Sequence, residues 1–182
     1  MQNDIQRVLI SEEEIKDKVA ALGRQISEDY KDKNLMLVSV LKGSVVFMAD
    51  LMRAITIPAS IDFMSVSSYG SGVKTTGVVK IIKDLDEMLT DRDILIVEDI
   101  LDSGMTLSYL KEHIGAKDAK SIRVATLLDK PERRRVNIVP DYKGFAIPDE
   151  FVVGYGLDFD EKYRNLPYVG VLKPCVYTTN KF

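Results

Sequence analysis

Only one cysteine, Cys175, stands in the 182 residues, so an internal disulfide is impossible. That fits a reducing compartment. Only one histidine is present, His113, and a single histidine does not make a metal site. It is expected on the solvated face of a helix. No apolar run approaches the roughly 20 residues of a membrane-spanning helix. The opening MQNDIQRVLI lacks the basic and long apolar regions of a secretory signal. Repeats, low-complexity tracts and linkers are absent too. The net charge of −3 gives no global attraction to nucleic acid or to an anionic membrane. The one dense basic run, Arg133 to Arg135, reads as surface. The expectation is a soluble cytoplasmic protein without a nucleic-acid or membrane partner.

What is present suits one domain over 1–182. Hydrophobic residues make up 46% and charged residues 29%, a globular balance. Ser11 and Glu14 form an S-x-x-E capping box ahead of Ile15, Val19, Leu22, Ile26 and Tyr30 at helical spacing. This predicts a helix over 12–31. Strands are expected at 35–41, 60–68, 77–84, 93–99, 121–130 and 151–156. Helices are expected at 44–54 and 105–114, the second stopped by Gly115. The run DILIVED (93–99) is continuously apolar, as in strands covered on both faces of a parallel sheet. Alternating strands and helices predict an α/β fold whose ligands bind at the carboxyl ends of the strands.

The stretch ILIVEDILDSGMTL (94–107) carries the densest chemistry. An apolar strand ends on the adjacent acids Glu98 and Asp99. Asp102, Ser103, Gly104, Met105 and Thr106 then lead into a helix. Amides at a helix start point outward with partial positive charge, and Gly104 permits a tight turn close to an anion. With the Ser103 and Thr106 hydroxyls this makes a phosphate cradle. The same five residues also suit a plain helix cap by Asp102 or Ser103. Two neighbouring carboxylates repel each other and resist burial. They become favourable facing a cation or the hydroxyls of a sugar.

The combination of an apolar strand with E-D-I-L-D-S-G-M-T resembles the phosphoribosyl-pyrophosphate signature of the type I phosphoribosyltransferases. The closer resemblance is to the bacterial hypoxanthine (hypoxanthine-guanine) phosphoribosyltransferases. VLKGSVVFMADL (40–51), SVSSYGSG (65–72), LLDKPERR (127–134) and FVVGYGLDFDEKYRNLPYVGVL (151–172) match their pattern in order. The fold this implies is a mainly parallel twisted sheet flanked by helices, with a small hood from the terminal segments over the base site. The activity it implies is transfer of phosphoribose to hypoxanthine, with guanine as a further acceptor, assisted by Mg2+. A homodimer or homotetramer is expected on the same ground.

Residue roles follow from the resemblance. Glu98 and Asp99 would hold the ribose hydroxyls, directly or through the metal, and Asp102 would be the general base beside purine N7. Residues 102–106 would hold the 5′-phosphate, although some relatives carry Lys at the position of Met105. Lys42 and Gly43, in a turn that often contains a cis peptide, would bind pyrophosphate together with Arg164. Ser68 and Tyr69 would belong to a lid over about 67–78. That segment contains G-x-G, but a strand follows it rather than a helix, so it is not a nucleotide loop. Lys130 would donate to the purine 6-oxo group, which favours hypoxanthine and guanine over adenine. Phe151 would stack on the base and the Val152 backbone would meet its edge. Asp158 would be a further metal contact and a member of the purine-binding set, with Asp160 and Glu161 as nearby alternatives. A xanthine- or guanine-preferring relative, an RNA-binding nucleotide sensor on the same fold and a generic metal-dependent phosphate binder remain as other readings.

Overall fold

The computed structural model describes residues 1–68 and 79–178. In chain order it runs β1 (Ile5–Ile10), α1 (Glu12–Asp29), β2 (Leu35–Leu41), α2 (Val45–Ala54), β3 (Ser60–Ser68) and β4 (Val79–Lys83). There follow β5 (Asp93–Leu101), α3 (Met105–Gly115), β6 (Ser121–Asp129), β7 (Tyr142–Ala146), β8 (Val152–Val153), β9 (Val169–Leu172) and α4 (Pro174–Thr178). A six-stranded sheet has the order β4-β3-β2-β5-β6-β7. All its pairings are parallel except that of the edge strand β4 with β3. A separate antiparallel sheet, β1-β9-β8, joins the two terminal regions.

The central strands β2 and β5 are mostly apolar because both faces are covered, with Ser39 and Asp93 as buried polar exceptions. Leu35, Leu37, Leu95 and Val97 pack with Ile15, Val19, Leu22, Phe47 and Leu51 of α1 and α2. Met36, Val38, Ile94 and Ile96 point the other way, onto Leu107, Leu110 and Ile114 of α3. The capping box forms as predicted: Glu14 N donates to Ser11 Oγ, and Ser11 N donates to Glu14 Oε2 at 2.8 Å.

Several boundaries differ from the sequence reading. The first helix ends at Asp29 with Tyr30 as its cap, and β5 continues past the acid pair to Leu101. Gly115 is the last residue of α3 rather than a left-handed stop; Ala116 caps with φ −70°. The strand expected at 151–156 shortens to two residues. Gly154 and Gly156 adopt φ of +99° and +100°, and a side chain on Gly154 would run into the Tyr168 carbonyl. Strands β1, β7 and β9 were not expected.

Candidate active site

The carboxyl ends of β2, β5 and β6 gather the residues singled out from the sequence. At the end of β5 the Glu98 side chain is half-buried, yet its Oε2 is sealed from solvent without a hydrogen-bond partner. Burial pushes its carboxyl well above the usual range, and the charge of Asp99 adds to this. Burial also pushes Asp99 up to about 6, opposed by its hydrogen bonds to the Ile100 amide and its own, and by Arg164. Two acids that resist ionisation at a strand end create a local demand for a cation or for hydroxyl donors.

The turn after β2 closes against this pair. The Leu41–Lys42 peptide is cis. A side chain on Gly43 would occupy the place of Asp99 Oδ2, so the absence of a Cβ lets the turn reach the carboxylate. Behind the turn, the buried hydroxyls of Ser39 and Ser44 lie 2.7 Å apart, and Ser44 donates to the Val40 carbonyl. Lys42 Nζ reaches Glu161 Oε2 at 3.2 Å. Arg164 reaches the same oxygen at 3.4 Å and Asp158 Oδ1 at 2.8 Å, while its Nη1 donates to the Gly156 carbonyl. The two cations assigned to pyrophosphate therefore converge on one carboxylate oxygen. Glu161, named only as an alternative to Asp158, sits at that convergence.

Beyond β5 the chain turns into α3 through Gly104, whose φ of +82° lies in the left-handed region. A side chain there would collide with Ile138. The helix has no side-chain cap. Ser103 Oγ accepts only a long 3.4 Å bond from the Met105 amide. The plain-cap reading thus loses its main support, and the first-turn amides keep their outward dipole. Asp102, Ser103, Met105 and Thr106 are all partly exposed around this turn.

Lys130, at the end of β6, is only 8% exposed and donates to the Glu150 carbonyl at 2.7 Å. Phe151 is 39% exposed and stacks on Tyr177 at a centroid distance of 4.8 Å, with Phe159 edge-on at 5.7 Å. Val152 is buried and pairs with Val171. Ser68 ends β3, and the expected lid from Tyr69 to residue 78 lies outside the described residues.

The arginine run is not simply surface, which corrects the sequence expectation. Arg133 Nε donates to Asp102 Oδ1 at 2.6 Å and its Nη1 reaches Asp149 at 3.2 Å. Arg134 is largely buried, pairs with Asp129 and donates to the carbonyls of Leu101 and Asp102. His113 is half-buried and bonds Asp84 at 3.0 Å rather than facing solvent. A charge run defaults to solvent in a sequence reading because its partners, here Asp102 at 31 residues and Asp149 at 16 from Arg133, are invisible to local patterning.

The expected metal contacts are only partly gathered. Asp158 is near enough to Asp99 for its charge to raise that carboxyl. Among the described residues no three acidic, histidine or cysteine side chains converge as a ligand cluster. The orphaned Glu98 oxygen and the raised Asp99 still fit a hard divalent cation that takes the rest of its shell from substrate oxygens and water.

A family model described as the phosphoribosyl transferase domain matches residues 10–160. The chain belongs to the phosphoribosyl transferase family. The chain is 56% identical over 177 residues to the hypoxanthine-guanine phosphoribosyltransferase of Bacillus subtilis, covering 97% of this chain and 98% of that one. It is 54% identical over 178 residues to the bifunctional protein TilS/HprT of Listeria monocytogenes. That match covers 98% of this chain, which spans only 28% of the bifunctional relative. Among solved structures, a hypoxanthine phosphoribosyltransferase from Staphylococcus aureus superposes with a TM-score of 0.94 at 51% identity, covering 97% of this chain and 96% of that one. The mostly parallel sheet flanked by helices is the architecture the sequence resemblance implied. Among the described residues no helix is long and apolar enough to cross a membrane.

Proposed function

We propose that the chain transfers the phosphoribosyl group of phosphoribosyl pyrophosphate to hypoxanthine, and to guanine, giving IMP or GMP and pyrophosphate. The observation that carries this reading is the conjunction at the end of β5. Two carboxyls forced upward by burial abut a glycine turn bearing Lys42, and a left-handed glycine opens α3 five residues after Asp99. A phosphate, a diol and a pyrophosphate each meet their chemical complement within that span.

In the reaction the bond from C1′ to pyrophosphate breaks and a bond from C1′ to a purine nitrogen forms, while the purine gives up a proton. The first-turn amides of α3, with the Asp102 backbone and residues 103–106, hold the 5′-phosphate. Glu98 and Asp99 orient the ribose hydroxyls. Lys42, Gly43 and Arg164 receive the pyrophosphate, the arginine through its fork of donors. Doing so requires both cations to exchange Glu161 for substrate oxygens. Asp102 faces N7 as the general base, with its work largely positional and electrostatic. Lys130 exchanges the Glu150 carbonyl for the purine 6-oxo group. Phe151 stacks on the base and Val152 meets its edge. Ser68 and Tyr69, in the lid over about 67–78, exclude water from the oxocarbenium-like centre. A divalent metal, Mg2+ in this reading, would be held by Glu98 and Asp99 with Asp158 nearby and would neutralise charge on the departing pyrophosphate.

One phosphoribosyltransferase domain spans 1–182, and the β1-β9-β8 sheet serves as the hood. The protein works in the cytoplasm as a homodimer or homotetramer. Exposed Val45 and Met52 on α2 support association, and the C-terminal region bears on the oligomeric state of a 40% identical enzyme from Trypanosoma cruzi.

The test is nucleotide formation from phosphoribosyl pyrophosphate with hypoxanthine, guanine, xanthine, adenine and uracil supplied separately. IMP formation that stops with chelator and resumes with Mg2+ is expected. Product with xanthine or uracil alone would move the base assignment, and no product with any base would overturn the reading. Asp102→Asn should lower turnover strongly while phosphoribosyl-pyrophosphate binding falls only modestly.

A further inference from the structure

The two groups assigned to the purine edge do not stand alone. Lys130 and Arg133 are the residue before and the last residue of a single 3-10 turn, Pro131–Arg133, that follows β6. Proline fixes the backbone at the start of that turn, so the two cations are presented as one unit. Arg133 Nε meets Asp102 Oδ1 at 2.6 Å, across 31 residues of sequence. Its Nη1 meets both oxygens of Asp149, at 3.2 and 3.3 Å. Asp149 Oδ1 also lies 3.7 Å from Lys130 Nζ. The result is a chain of alternating charge, Asp102–Arg133–Asp149–Lys130.

Three of these side chains are well exposed: Arg133 by 47%, Asp102 by 42% and Asp149 by 46%. Ion pairs at that exposure contribute little to stability. What the chain does fix is geometry. N7 and the 6-oxo group are neighbours on one edge of the purine. Asp102 and Lys130 are the groups assigned to those two atoms, and the chain links them.

Resting on the functional reading above, we propose that Arg133 is a positioning residue that holds Asp102 toward purine N7 and, through Asp149, ties it to the Lys130 ammonium that reads the neighbouring oxygen. One planar guanidinium spans both carboxylates. A lysine, a compact charge on a flexible stem, lacks the rigid fork that fixes both directions at once. Asp149 supplies the counter-charge that keeps the Arg133 and Lys130 cations from separating. Arg133 therefore acts on the base half of the reaction and leaves the ribose-phosphate half alone.

The experiment is steady-state kinetics on the intact protein with hypoxanthine and phosphoribosyl pyrophosphate. The variants are Arg133→Ala, Arg133→Lys, Asp149→Asn, Asp102→Asn and the double variant Arg133→Ala/Asp102→Asn. Arg133→Ala should lower kcat/KM for hypoxanthine on the order of 10- to 100-fold, the scale of a misplaced catalytic group. KM for phosphoribosyl pyrophosphate should stay within about twofold, as a uniform structural loss would not allow. Added guanidinium ion should restore part of the Arg133→Ala loss, and Arg133→Lys should restore less than the native residue. Asp149→Asn should give a smaller loss, again confined to the base. In the Asp102→Asn background, Arg133→Ala should cost no more than about twofold, because its effect runs through Asp102. The inference is overturned if Arg133→Ala stays near wild type, or if its loss is equal in both backgrounds and resists guanidinium. Absence of IMP formation by the wild-type protein would overturn the functional reading itself, a separate outcome.

Discussion

Glu98 shows what the site requires of a single residue. Its Oε2 is buried without a partner, and Asp99 adds a second acid beside it. Burial, reinforced by that charge, raises its folded-state pKa above the ordinary 4.5. The unfolded chain releases this proton near pH 4.5, whereas the folded protein retains it to higher pH. Stability from this residue is therefore greatest at low pH and falls as pH rises past that value. Glu98→Gln removes the conflict. Thermal melting of the ligand-free variant should show a gain on the order of 1–3 kcal/mol at pH 8, the scale of an unsatisfied buried polar group. The gain should vanish near pH 4, and nucleotide formation should fall sharply in the same variant. An unchanged or lowered melting temperature at pH 8 would count against an orphaned carboxylate. Such a residue trades stability for the ability to receive a ligand.

At the scale of elements, the segment between β4 and β5 is pinned to α3 by one carboxylate. Asp84 accepts from Lys117 at 2.8 Å and from the Leu85 amide, and bonds His113 at 3.0 Å. Burial pulls its carboxyl up, but these partners outweigh it and hold it at about 2. The sign is opposite to that of Glu98. The contribution is present above the unfolded value near 3.8 and disappears as pH falls toward 2. Asp84→Asn should destabilise the fold at pH 7 by about 1 kcal/mol, discounted because the side chain is partly exposed. Urea melts of both proteins should converge as the pH falls to about 2 and below. Legibility in the sequence also sorts by element. Strands β2 and β5 are legible because both their faces are buried and, Ser39, Asp93 and the acid pair aside, their residues form continuous apolar runs. Strand β1 buries only Ile10 fully, which leaves no alternation to read. In β7, Gly144 lies against the Leu127 carbonyl, and in β9, Gly170 lies against Ile5, so close approach puts glycine where a strand signal would otherwise stand. The site divides the same way. Lys42, Glu98, Asp99 and Asp102 belong to contiguous motifs, whereas the pairing of Arg133 with Asp102 exists only after β5 and β6 are brought side by side.

For the whole molecule, charge and topology carry the argument. The net charge of −3 gives no global attraction to a polyanion, and Arg133 and Arg134 are already engaged by Asp102, Asp149 and Asp129. RNA binding measured against salt should therefore be negligible at physiological ionic strength, without the steep slope that phosphate neutralisation produces. Tight, salt-sensitive binding would favour the sensor reading instead. The small antiparallel sheet sets a different constraint. Strand β1 pairs with β9, and β8, directly after Phe151, pairs with β9 as well. During synthesis β5 and the start of α3 leave the ribosome long before β9. Until β9 emerges, β1 has no strand to pair with and the wall that bears Phe151 and Val152 has nothing to close it. A growing chain thus completes its central sheet first and the β1-β9-β8 sheet last, so on the proposed reading the base site closes only once residues 169–172 have joined β1 and β8.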